Sequence, residues 1–131
     1  MTVSAQNLSV SYGRSTIVHS LSFGPLEGGT VVGLIGPNAA GKSTLVKAIA
    51  GIKKPTAGSV TISKGGAELT GRDRVEAIGY VPQDLLSSAT LTAFESVMVS
   101  ARRRGVDGWD PLERTADVMH RLGITHLSDR L

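Results

Sequence analysis

The 131-residue sequence holds no cysteine, and only 4% of it is aromatic, with one Trp, two Tyr and two Phe. Lack of cysteine excludes disulfides and thiolate metal sites and suits a reducing compartment. So few rings leave Val, Ile, Leu and Ala to fill the core. No apolar run approaches the roughly eighteen residues that a membrane span needs. The start, Met1 to Asn7, has neither the basic opening nor the apolar block of a signal peptide. These absences predict a soluble, cytoplasmic chain. There is also no internal repeat, and His19, His120 and His126 have no metal-ligand spacing.

What remains is ordinary globular material, 40% hydrophobic and 19% charged, of one-domain length. The net charge of +3 is spread along the chain, and its densest run is Arg102-Arg103-Arg104. A short arginine run reads as a solvated helix end, so no nucleic-acid partner is expected.

Val3 to Tyr12 alternates loosely, with Leu8, Val10 and Tyr12 on one side, and reads as a strand ending at Gly13. Ile17 to Phe23 reads as a second. Thr30 to Ile35 is short, nearly all apolar and bounded by glycines, which predicts a strand buried on both faces of an α/β core. Lys42 to Ala50 reads as a helix closed by Gly51, Ser59 to Ser63 as a strand, Gly65-Gly66 and Gly71 as loops, and Ala77 to Val81 as a strand stopped by Pro82. Two helices then show themselves by their starts. Thr92-Ala93-Phe94-Glu95 has the capping-box pattern, followed by Phe94, Val97, Met98 and Ala101 at helical spacing. Asp110-Pro111-Leu112-Glu113 puts proline at the first helical position, with Leu112, Ala116, Met119 and Leu122 on one side and Gly123 as the stop. Trp109 reads as a local packing anchor and Asp84 as a solvated loop acid. The order implies an α/β core with an appended helical segment.

The chemistry concentrates in Gly36-Pro37-Asn38-Ala39-Ala40-Gly41-Lys42-Ser43. Glycines let such a backbone curl so that successive N–H groups point inward at phosphate oxygens. The following helix adds the positive end of its dipole. Lys42 can reach the β- and γ-phosphates as a mobile point charge, and the Ser43 hydroxyl is placed to ligate Mg²⁺. Ala39 departs from the glycine that many such loops carry, and a positive φ there would cost about 1 kcal/mol. The expected ligand is a nucleoside triphosphate, ATP with Mg²⁺.

Ser11-Tyr12-Gly13, the phosphate loop continued through Thr44-Leu45, and Tyr80-Val81-Pro82-Gln83 together resemble the ATP-binding subunit of an ABC transporter. The resemblance implies a P-loop NTPase core with N-terminal β strands of the ABC ATPase type over 1–82. It also implies a Q-loop and partial helical subdomain over 83–131. It extends along the whole chain but reaches only the first half of such a domain, so an incomplete domain is expected. It makes Tyr12 the aromatic that stacks on adenine, Thr44 a contact to the α-phosphate, and Gln83 the residue that senses the metal and γ-phosphate. Gln83 has the chemistry for this, since its amide offers both an acceptor and a donor. Lys42 and Gln83 are then the catalytic candidates, Ser43 and Gln83 the metal ligands, and Gly36 to Thr44 with Tyr12 the nucleotide contacts. Tyr80 to Asp84, Leu91 to Val97 and the final Gly123 to Leu131 are similar to the ATPases of iron-chelate, haem and cobalamin importers. The implied partners are transmembrane permease subunits, with Gln83 to about Gly105 as the coupling region, and a second ATPase subunit in a homodimer. The implied location is the cytoplasmic face of the membrane.

Three elements of that family do not occur in this sequence: a Leu-Ser-Gly-Gly-Gln signature, an apolar strand ending in Asp-Glu, and a later switch histidine. The expectation is therefore nucleotide binding with little or no hydrolysis by these residues alone, and an unpaired apolar edge at Val31 to Ile35 that invites association. A truncated product is the reading for the chain as it stands. A soluble ABC-type ATPase of DNA repair or translation, and a non-catalytic nucleotide-binding module, are the alternatives.

Overall fold

Ala5, Leu8 and Val10 are all buried, although a flat strand repeats every two residues and the first step here is three. The computed structural model, which describes residues 1–83, 90–104 and 110–131, resolves the conflict with a bulge. In β1 (Thr2–Tyr12) and β2 (Ser15–Glu27), Ala5 faces Phe23 and Leu8 faces Leu21, so β1 has gained one residue. The surplus falls at Asn7, whose φ is 47°. Between Leu8–Leu21 and Val10–Val18 it is β2 that gains one, at Ser20 with φ 44°. Both bulged amides find acceptors: Asn7 N–H donates to Ser22 Oγ at 2.9 Å and Ser20 N–H to Ser9 Oγ at 3.0 Å. The paired bulges re-aim the strand and keep its apolar residues inward.

On the other side, β1 pairs with β3 (Ala57–Lys64), which pairs with the short β4 (Ala67–Glu68), giving an antiparallel sheet of order β2-β1-β3-β4. Gly58, at φ 72°, sits against the Asn7 bulge. A Cβ there would lie 2.3 Å from the Gln6 and Asn7 carbonyl oxygens, so only glycine fits.

Helix α1 (Lys42–Ile49) lays Leu45 and Ala48 on this sheet, where they join Ala5, Leu8, Val10, Val18, Val60 and Ile62 in the core. It ends in a Schellman turn at Gly51 (φ 75°), with Gly51 N–H on Ala48 O at 3.1 Å and Ile52 N–H on Lys47 O at 2.9 Å. Helix α2 (Gly71–Ala77) follows β4 and is tied to the sheet by Arg74 Nη1, which donates to Val60 O at 3.0 Å.

Two expectations fail in this region. Thr30 to Ile35 forms no ladder, and Val31 and Ile35 are 102% and 95% exposed rather than buried on both faces. Ala77 to Val81 is no strand either: Ala77 closes α2, and 78–81 are irregular. The physical reason is common to both. A strand exists through its neighbour, and the described strands are all paired within the antiparallel sheet.

The chain divides into two compact units, Met1–Tyr80 and Val81–Leu131. In the second, α3 (Ala93–Arg104) packs on α4 (Pro111–Arg121). The capping box forms as expected: Glu95 N–H donates to Thr92 Oγ1 at 3.2 Å and Thr92 N–H to the Glu95 carboxylate at 2.8 Å. Asp110 caps α4 by accepting from Leu112 N–H at 3.1 Å. The buried face of α4 differs from the expected one. Thr115 and Met119 are buried, whereas Leu112, Ala116 and Leu122 are exposed. Thr115 tolerates burial because its hydroxyl donates to Pro111 O at 2.7 Å. Trp109, Asp84 and the last residue of the expected coupling stretch, Gly105, lie outside the described residues. Among those described, no helix is long and apolar enough to cross a membrane.

Candidate phosphate-binding site

Two left-handed residues shape the loop that leads into α1. Ala39 has φ 64° and Gly41 has φ 87°, with Ala40 N–H donating to Pro37 O at 3.3 Å between them. Of the two backbone options open to Ala39, the loop therefore takes the strained one. Gly41 has a packing reason as well as a conformational one. A Cβ on it would stand 3.0 Å from Ile17 Cγ2 and 3.1 Å from Ile17 O, so the loop rests directly on β2.

Gly41 is also the N-cap of α1, and it brings no capping side chain. The first backbone bond of the helix runs from Leu45 N–H to Gly41 O at 2.9 Å. The amides of Lys42, Ser43 and Thr44 thus have no acceptor among the described residues. Open donors at a helix start favour an anion, by partial charge and by direct hydrogen bonding.

Lys42 Nζ folds back to donate to Gly36 O at 2.8 Å and Pro37 O at 2.6 Å. This puts a full positive charge inside the curl of the loop. Ser43 is exposed and its hydroxyl has no hydrogen bond to another described residue. An open cleft of about 230 Å³ adjoins the loop, walled by Ile17, Val18, Leu34, Gly36, Gly41 and Lys42. His19 also lines it, a position that its sequence context did not suggest.

Tyr12 closes β1 opposite Ser15 and is 46% exposed. Ser15 precedes Ile17, the residue under Gly41, by two strand positions, or roughly 7 Å. The ring therefore belongs to the same end of the sheet as the loop. The Lys53 ammonium lies 4.4 Å from its centroid. Nothing in the sequence singles out Lys53 or Ile17, because both act through contacts distant along the chain.

Gln83 is exposed, at a bend in the second unit. No group of three or more His, Asp or Glu among the described residues could hold a metal ion. The Ser43 hydroxyl is a neutral oxygen donor, which suits Mg²⁺ only when phosphate oxygens and water complete its shell. The residues present thus fit a magnesium nucleotide better than a free metal.

Residues 18–131 match the family model described as ABC transporter. The chain belongs to the ABC transporter family. It is 36% identical over 124 residues to the linearmycin resistance ATP-binding protein LnrL of Bacillus subtilis, covering 92% of this chain and 39% of that protein. It is 35% identical over 106 residues to the hemin import ATP-binding protein HmuV of Gloeobacter violaceus, covering 79% of this chain and 38% of the relative. A solved structure described as the ATP binding subunit of an ABC transporter superposes with a TM-score of 0.77 at 25% identity, over 98% of this chain and 54% of that one. The fold is therefore that of ABC ATPase domains, and the chain spans well under half the length of the two relatives named.

Proposed function

We propose that this chain is the nucleotide-binding region of the ATP-binding component of an ABC transport system. The observation that carries the reading is the open start of α1, where the Lys42, Ser43 and Thr44 amides lack acceptors among the described residues and the Lys42 ammonium folds back onto the Gly36 and Pro37 carbonyls. Gly36 to Thr44 hold the phosphates of ATP, and Lys42 exchanges the Gly36 and Pro37 carbonyls for phosphate oxygens. Tyr12 offers a ring face to adenine. By the family resemblance, Ser43 and Gln83 would each supply an oxygen to Mg²⁺, which when bound would offset phosphate charge. Gln83 also orients water, so Lys42 and Gln83 serve the reaction while the remaining residues serve binding. Hydrolysis that drives transport belongs to the longer subunit, acting as a homodimer on transmembrane permease partners at the cytoplasmic face of the membrane.

The cargo reading is import of an iron chelate or a similar metal complex. It is supported by the segments Tyr80 to Val81 with Pro82-Gln83, and Leu91 to Val97, and by the likeness to a hemin import protein. A second reading, movement of a drug, has its own support in the 36% identity to a linearmycin resistance protein. Uptake of labelled hemin, a ferric chelate and a divalent metal by cells carrying Lys42→Ala at the native locus separates them. Loss of metal-complex uptake is expected. Unchanged uptake with lost drug tolerance would favour the second reading, and no change in either would overturn the transport role.

A further inference from the structure

Tyr12 stands at a hairpin end, where its ladder partner among the described residues is Ser15. Its ring is nearly half exposed, and its hydroxyl makes no hydrogen bond to another described residue. A platform for a flat ligand needs a fixed plane, and nothing in the strand itself fixes this one. Lys53 supplies what the strand does not. Its ammonium lies 4.4 Å from the ring centroid, inside the range of about 6 Å for attraction between a cation and a π face.

The backbone beneath Lys53 is itself fixed. Its N–H donates to Lys47 O at 3.1 Å, sharing that carbonyl with Ile52 in the Schellman turn that ends α1. The next anchor, Thr56, donates through N–H to Ser9 O at 2.8 Å and through its hydroxyl to the same oxygen at 3.0 Å. Lys53 is therefore carried by a segment pinned at both ends, one to the phosphate-loop helix and one to the strand that bears Tyr12.

We propose that Lys53 is a positioning residue for base recognition. Its ammonium caps one face of the Tyr12 ring, holds the ring plane and leaves the opposite face for the base. The ligand class is a nucleoside triphosphate whose purine stacks on Tyr12, with Lys53, the ring and the base in a three-layer arrangement. The inference rests on the reading of Tyr12 as the base platform, and it adds a residue that touches neither phosphate nor base.

Calorimetric titration of the chain with magnesium ATP and, separately, with magnesium tripolyphosphate tests it. Tripolyphosphate has the phosphates without the base. Lys53→Met is expected to weaken ATP binding roughly two- to fivefold, the range for an exposed cation–π contact, while leaving tripolyphosphate binding unchanged. Lys53→Arg should restore ATP affinity, and Lys54→Met should change neither ligand, which excludes a general charge effect. Equal losses for both ligands would overturn the proposal by making Lys53 a phosphate contact. Tighter ATP binding by Lys53→Met would overturn it too, because Lys53 would then occupy the face that the base needs. If Tyr12→Ala weakens ATP and not tripolyphosphate while Lys53→Met does nothing, the positioning role alone fails. If Tyr12→Ala also leaves both affinities unchanged, the base-platform reading fails with it.

Discussion

Helices α1 and α3 begin in opposite ways. At α3 the donors are spoken for: Glu95 N–H meets the Thr92 hydroxyl, Ala93 N–H meets Arg130 O at 2.7 Å, and Phe94 N–H meets Ser128 O at 3.1 Å. At α1 the N-cap is Gly41, no side chain closes the turn, and the amides of Lys42, Ser43 and Thr44 have no acceptor among the described residues. Orphan amides at a helix start cost stability unless something accepts from them. A start that serves only structure closes itself, as α3 does with a capping box. A start left open beside a lysine is arranged for an anion from outside. Backbone strain follows the same division. The bulged Asn7 and Ser20 each have a serine acceptor, whereas Ala39 at φ 64° has no such bond among the described residues.

The contrast is broken most severely at Gly41. Gly41→Ala puts a methyl group 3.0 Å from Ile17 Cγ2 at a left-handed φ of 87°. The backbone cost alone is about 1 kcal/mol, and the clash adds to it. Magnesium ATP affinity should fall by roughly tenfold or more, as read by calorimetry, with the α3–α4 unit unaffected in hydrogen exchange. Ala39→Gly works the other way. Relief of the left-handed alanine should raise the stability of the loop region by about 1 kcal/mol, seen as a higher urea midpoint with ATP affinity retained.

The smallest effect is expected at α3, and it depends on pH. The Thr92 backbone amide first, then its hydroxyl, hydrogen-bond the Glu95 carboxylate and hold its pKa below the ordinary value. A lowered carboxylate pKa contributes stability that is present above the unfolded value and is lost as pH falls through the folded one. Slowed exchange of the first-turn amides of α3 should thus persist at neutral pH and fade on acidification below about pH 4. Glu95→Gln should remove that pH dependence, and α1 should show none of it.

Much of the site was legible because its chemistry is local. Gly36, Gly41, Lys42 and Ser43 act within one turn of chain, and so do Thr92 with Glu95 and Asp110 with Pro111. The rest depends on partners far along the chain. Leu8 and Ile35 are both large aliphatic residues in segments read as strands, yet Leu8 is fully buried and Ile35 is 95% exposed. Leu8 has β2, β3 and α1 around it, and Ile35 has no ladder neighbour among the described residues. Hydrophobicity gave the same reading to both. Helix α4 shows the converse error. Its apolar residues suggested one face, but of these only Met119 is buried, beside Thr115, whose hydroxyl satisfies itself on Pro111. The compensating bulges at Asn7 and Ser20 were invisible for a related reason, since a register shift is a property of two strands together. Lys53 reached Tyr12 only through the turn after Gly51.

In the proposed function, the open start of α1 and the Lys42 charge capture triphosphate. Calorimetric titration of the chain and of Lys42→Ala with magnesium ATP tests it most directly. Saturable, one-to-one binding is expected, weakened at least roughly tenfold by Lys42→Ala, in line with a charge-assisted contact of about 1.5–3 kcal/mol. Equal affinity in the two proteins would contradict it.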